Sequence, residues 1–167
     1  MKTRIFLFAW CALLITASLS NRPIQSTSAQ GPDKSKPSVV LSHTFGQVSG
    51  WVSKSAEMVP ADKYNYKPVD TVRTFGQLIA HVTDSYNYFC AHGSGNKVQW
   101  ADPVEKGKTD KETLLPKLKE AVDKCNAVYG SDASQVAPLL ENVAHTNLHY
   151  GNLITYMRMM GLKPPSS

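Results

Sequence analysis

The sequence predicts an all-α protein, an antiparallel four-helix bundle, and three observations carry that prediction. Apolar residues recur every three to four positions in four separate segments, as amphipathic helices require. Ser, Thr, Pro and Gly stand at the segment ends, where helices start and stop. No segment alternates apolar and polar residues as a half-buried strand would. The 167 residues have the size of one domain, since single cores occupy about 100–200 residues.

The first periodic segment runs from about Ser38 to Val59, with Leu41, Phe45, Val48 and Val52 on one stripe. Ser38 is the expected cap and Pro60 the expected stop. Residues 61–73 read as an ordered loop in which Tyr64, Tyr66 and Pro68 pack over the helix ends. Thr74 and Gln77 then form a capping box. It opens a second helix that reaches about Ala91 and carries Leu78, Val82 and Phe89 on its apolar side, with His81 and Asp84 inside it. Gly93 and Gly95 stop it.

Residues 94–108 are the least regular stretch after the leader. A third helix is expected from Thr109 to Tyr129, with Thr109 and Glu112 as a second capping box. Pro116 should kink it or delay its start, because a mid-helix proline loses a backbone hydrogen bond. The fourth helix has Pro138 in its first turn and Leu139, Val143, Ile154 and Met157 on its apolar side. Gly161 suits the left-handed stop, and Pro164 and Pro165 prevent continuation.

Ahead of this bundle, Lys2 and Arg4 precede an apolar run from Ile5 to Leu19 and then a polar stretch ending in Thr27-Ser28-Ala29. That is the layout of a secretory signal peptide over residues 1–29, followed by a linker over 30–37 and the bundle domain over 38–167. The apolar run is short for a full span of about 20 residues, so cleavage is favoured over a retained anchor. An exported, periplasmic or extracellular protein without stable membrane insertion is expected. Lys2, Arg4 and Arg22 leave with the leader and no acid does, so a formal +5 falls by three to +2. The lysines between Lys97 and Lys124 are interleaved with acids, unlike the clustered basic face of a nucleic-acid binder. Cys90 and Cys125 remain after cleavage. They could pair in an exported protein, but their apolar-face positions favour two buried thiols acting as small hydrophobes.

The chemistry lies in the histidines. His145 and His149 are four residues apart on the fourth helix, so both rings leave one face with Cβ atoms about 5–6 Å apart. His81, on the second helix, supplies a third nitrogen if the two helices pack, as inward ligands of bundle metal sites do. Asp84 or Glu141 could accept a ring N–H from behind. Thr146 stands where a zinc protease of the HExxH type needs glutamate, and Glu-x-x-His motifs of di-iron bundles are absent. His43 falls off its helix stripe and His92 sits at a helix exit, so both read as structural or solvated. Ordinary imidazoles titrate near 6.5, so metal retention should weaken below about pH 6.

The stretch Val72-Arg73-Thr74-Phe75-Gly76-Gln77-Leu78-Ile79-Ala80-His81-Val82-Thr83-Asp84 resembles the second-helix signature of the DinB/YfiT-like superfamily. The run from Asn142 through His145, His149 and Tyr150 to Arg158 resembles its last helix. Met58-Val59-Pro60 with Tyr64 and Pro68 fits its first loop. The resemblance implies an up-down-down-up bundle, often a homodimer, with a divalent metal held by three histidines that map onto His81, His145 and His149. Zinc or nickel is the first expectation, manganese or iron the next. Characterised relatives include transferases and isomerases that use low-molecular-weight thiols. Here Leu148 stands where many relatives carry Glu before the final histidine. The expected function is a metal-dependent enzyme of hydrolase or thiol-transferase type acting on an unidentified small molecule, the alternative being a non-enzymatic bundle that binds metal or a small ligand.

Overall fold

In the computed structural model, residues 36–131 and 134–167 are described. The expected leader and nearly all of the linker lie outside the described residues. The order is α1 (Pro37–Met58), a 3-10 turn (Ala61–Lys63), α2 (Phe75–Gly93), α3 (Lys111–Tyr129) and α4 (Val136–Met159). There are no strands among the described residues, and the helices form the expected bundle. No helix among them is long and apolar enough to cross a membrane.

Contacts along the helices fix their directions. The Lys111 ammonium, at the start of α3, donates to the Glu57 and Val59 carbonyls at the end of α1, at 2.6 and 2.9 Å. Phe45, near the start of α1, stacks on Tyr129 at the end of α3, with centroids 4.4 Å apart. These two helices are therefore antiparallel. Gly76 in the first turn of α2 lies against the Thr109 carbonyl just before α3, where a Cβ would collide with that oxygen. Only glycine lets the two starts approach so closely. Further along, Cys90 of α2 and Cys125 of α3 form a disulfide with Cα atoms 5.3 Å apart, so these helices run parallel. Trp51 of α1 stacks on Tyr150 of α4, each near mid-helix, and Gly93 at the end of α2 meets Leu139 at the start of α4. The bundle is up-down-down-up, with α1 opposite α2 and α3 opposite α4.

Phe45, Ile79, Leu114 and Leu153, one from each helix, are fully buried in the centre. Burying such a side chain contributes about 1.5–3 kcal/mol. The strap between α1 and α2 packs as expected: the Tyr64 hydroxyl donates to the Ala56 carbonyl at 2.6 Å, and Tyr66 meets Tyr156 edge-on.

The caps show where local pattern suffices. Thr74 and Gln77 make the full reciprocal box, at 3.1 and 2.9 Å, and Gly161 ends α4 with φ +77°. At α1 the expected Ser38 cap is replaced by Pro37 at the first helical position, with Lys36 as an N-cap lacking a side-chain bond. Proline suits that position because its missing N–H would be unpaired there anyway. At α3 the cap is Asp110, not Thr109; its carboxylate accepts from the Thr113 N–H and hydroxyl, both at 2.9 Å. The helix starts at Lys111 and contains Pro116, so the delayed start is not seen. Proline leaves only the Glu112 carbonyl without its helical donor, and Glu112 is exposed to water.

The two thiols expected to be free are instead bonded. The shared apolar stripe that suggested small hydrophobes also brings two adjacent helices into disulfide range. The Asn142 amide of α4 sits against the bond, donating toward Cys90 Sγ, Cys125 Sγ and the Tyr129 hydroxyl.

Candidate metal centre

His81 faces α4 from the second turn of α2, and His145 and His149 face it from one side of α4. Their rings meet. His81 Nε2 lies 3.3 Å from His145 Nε2, and His149 Nε2 lies 3.1 Å from His145 Nε2. All three candidate ligand atoms fall within 4.8 Å of one another. In a tetrahedral site with metal–nitrogen bonds near 2.05 Å, ligand nitrogens stand about 3.3–3.4 Å apart. The observed spacing fits that geometry with little adjustment.

Electrostatics favour the same use. Burial first, then the neighbouring His81 and Arg73 charges, pulls the His145 imidazole down to about 4. His149 is pulled to about 4 by burial, by its two histidine neighbours and by Arg73. Both rings are neutral at pH 7, as ligand imidazoles must be. Inward Nε2 lone pairs require the ring protons on Nδ1. For His81 that proton meets an acceptor, Glu105 Oε2, at 3.1 Å. The buried Nδ1 atoms of His145 and His149 have no hydrogen-bond partner among the described residues. A cluster of three lone pairs facing one point is poorly satisfied by itself, and a cation is the common partner that matches all three.

The carboxylate behind the site is neither of those expected. Glu141 is exposed, and Asp84 does not meet a histidine. Asp84 is 2% exposed and accepts from the backbone N–H groups of Val104 and Glu105 at 2.9–3.2 Å. It clamps the irregular 94–110 stretch onto α2, and that clamp delivers Glu105 to His81. Arg73 holds Glu105 from its other side through Nε and Nη2. The same stretch places Trp100 over the triad, 5.7 Å from the His81 ring and 6.3 Å from that of His145. Sequence reading missed Glu105 and Trp100 because their placement depends on a hydrogen bond made 20 residues away. The one available signal was a tryptophan among acids in an otherwise polar stretch.

His92 accordingly stays outside the site; its Nε2 pairs with the Val98 carbonyl at 3.0 Å. His43 is exposed on α1. An open cleft of about 530 Å³ reaches the triad at His149 and is walled by Arg73, Leu78, Glu105 and Asn152 among others.

Residues 52–135 match the DinB superfamily, a span that includes His81 and Glu105. The chain is similar to the uncharacterized protein YjoA of Bacillus subtilis (strain 168), 28% identical over 122 residues, covering 64% of this chain and 79% of the relative. No solved structure gave a significant match.

Proposed function

The chain belongs to the DinB superfamily, and we propose on that footing that it is an exported protein holding one divalent metal ion on His81, His145 and His149, and a metal-dependent enzyme of hydrolase or thiol-transferase type. The superfamily is a metal-binding one. The observation that carries the reading is the meeting of ring nitrogens from α2 and α4, with His145 Nε2 3.3 Å from that of His81 and 3.1 Å from that of His149, and all three within 4.8 Å of one another. Three imidazoles suit zinc or nickel better than magnesium or calcium, which prefer oxygen donors; manganese and iron are second choices.

When bound, such an ion supplies Lewis acidity, polarising a substrate oxygen or sulfur and easing loss of its proton. The chain's own residues set the stage. Glu105 holds the proton of His81 on Nδ1 and so keeps Nε2 directed inward. Asp84 keeps Glu105 in place through the backbone. Trp100 shields one side of the rings from water, and the cleft beside His149 is the approach for a small molecule.

Export is supported by the Cys90–Cys125 bond, since disulfides persist in oxidising compartments. The second reading, a bundle that binds metal or a small ligand without catalysis, draws on Leu148. It is 65% exposed and offers no carboxylate beside His149.

Metal analysis of tag-free protein tests the proposal. One divalent ion per chain at neutral pH is expected; no ion contradicts it. Protonation of a ligand ring opposes binding, so affinity falls as pH falls. With His145 and His149 each at about 4, the loss due to these two rings comes near about pH 4–5, lower than ordinary imidazoles would give.

A further inference from the structure

The geometry points to a carboxylate subsite at Arg73: the cleft beside the triad takes a small organic anion, its carboxylate on Arg73 and Asn152 and its other polar end toward the histidines. This inference rests on the metal reading above and adds the chemical class of the ligand.

Arg73 has five N–H donors, and its pairing with Glu105 uses one on Nε and one on Nη2. Three remain, and no other residue meets them among the described contacts. Both side chains line the cleft, and Arg73 is the more exposed of the pair, 42% against 17% for Glu105. Both Glu105 oxygens are already committed, Oε1 to Arg73 and Oε2 to Arg73 and His81. With the Glu105 charge paired in this way, the unpaired guanidinium donors are the groups left to take an anion. Asn152, exposed on the same wall, offers an amide to the cleft. The Tyr156 hydroxyl is spent on the Arg73 carbonyl at 2.9 Å, which fixes the backbone from which the guanidinium projects.

Val72 and Leu78 supply an apolar part of the wall, beside Thr71, Tyr156 and the paired Glu105, and suit a short hydrocarbon spacer. The volume of about 530 Å³ lies in the range of small-molecule sites, about 300–1,000 Å³. A planar guanidinium recognises a carboxylate in two-point fashion. His149, on the same cleft, marks the end where a second donor group would approach the triad. The ligand class is thus a short molecule with a carboxylate at one end and a metal-seeking oxygen or sulfur at the other.

Calorimetric titration of tag-free, zinc-reconstituted protein tests this with acetate, succinate, glutarate and succinamide as probes. Succinate or glutarate should bind at least tenfold tighter than acetate and than the neutral diamide. In Arg73→Gln that advantage should shrink to less than about twofold. Asn152→Leu, which leaves the Arg73–Glu105 pair alone, should reduce it at least threefold. Zinc content, measured on the same samples, should stay at the wild-type level in Asn152→Leu, and Arg73→Gln is titrated at matched zinc occupancy, because Arg73 also holds Glu105 behind His81. An equal affinity for acetate and the dicarboxylates in zinc-loaded wild type overturns the subsite alone. So does a full advantage retained in Arg73→Gln. Wild-type protein that takes up no zinc overturns the metal reading and the subsite with it.

Discussion

Replacing Cys90 and Cys125 together by alanine should lower the unfolding free energy by about 3–4 kcal/mol, the chain-entropy value for a loop of this length. The bond joins residues 35 apart, across the long connection between two parallel helices. Without it, the unfolded chain regains freedom at that connection, and α2 and α3 keep only their packing. For a bundle of this size the midpoint of thermal unfolding should fall by on the order of 10 °C. Asn142 sharpens the expectation. Its amide is fully buried and directed at both sulfurs and at Tyr129, so the alanine pair also removes polarizable neighbours from a polar group. The bond joins α2 to α3, whereas the triad joins α2 to α4, so metal affinity should change much less than stability. Urea unfolding of metal-free protein, with and without reductant, measures the effect. Two titratable thiols in air-purified protein, or an unchanged midpoint on reduction, would contradict it.

Removing any one of the three histidines should cost the site several hundredfold in metal affinity. Four-ligand zinc sites bind with about 10–16 kcal/mol, roughly 2.5–4 kcal/mol for each ligand. His81→Ala, His145→Ala and His149→Ala should therefore behave alike. Glu105→Gln should fall below them, at about 10–100-fold, because the ring keeps an acceptor but loses the charge that orients it. The folds should survive: His145 and His149 are only half-buried and His81, though buried, lies in this polar cluster, so metal-free melting should change little in the alanine variants. Competition with a chromogenic chelator gives the four constants on one scale. Undiminished affinity in two of the three alanine variants would reject the assignment, and a Glu105→Gln loss equal to theirs would make Glu105 a ligand.

What could be read before the structure was what local rules govern. The Thr74–Gln77 box, the Gly161 stop and the i, i+4 pair on α4 depend on residues within one turn, and each appears as read. The convergence of His81 with that pair was legible only as a condition, met if its helix packs against the fourth, and α2 does pack against α4. Features set by tertiary closure were not legible. Glu105 reaches His81 only because Asp84 gathers two backbone N–H groups from a segment without periodicity. The Cys90–Cys125 pairing depends on α2 and α3 being parallel, in step from their first turns, which the Gly76–Thr109 approach permits. At α3, two acceptable caps lie side by side, and the aspartate prevails over the threonine because its second oxygen also accepts from the Thr113 hydroxyl.

Diffraction from crystals of tag-free protein, recorded on either side of the absorption edge of whichever metal co-purifies, addresses the claim on which the functional account stands. A single anomalous peak is expected about 2.0–2.2 Å from Nε2 of each of His81, His145 and His149. A peak seated instead on His81, Asp102 and Glu105, whose ligand atoms also lie within 4.8 Å of one another, or the three rings turned away from a common point, would contradict it.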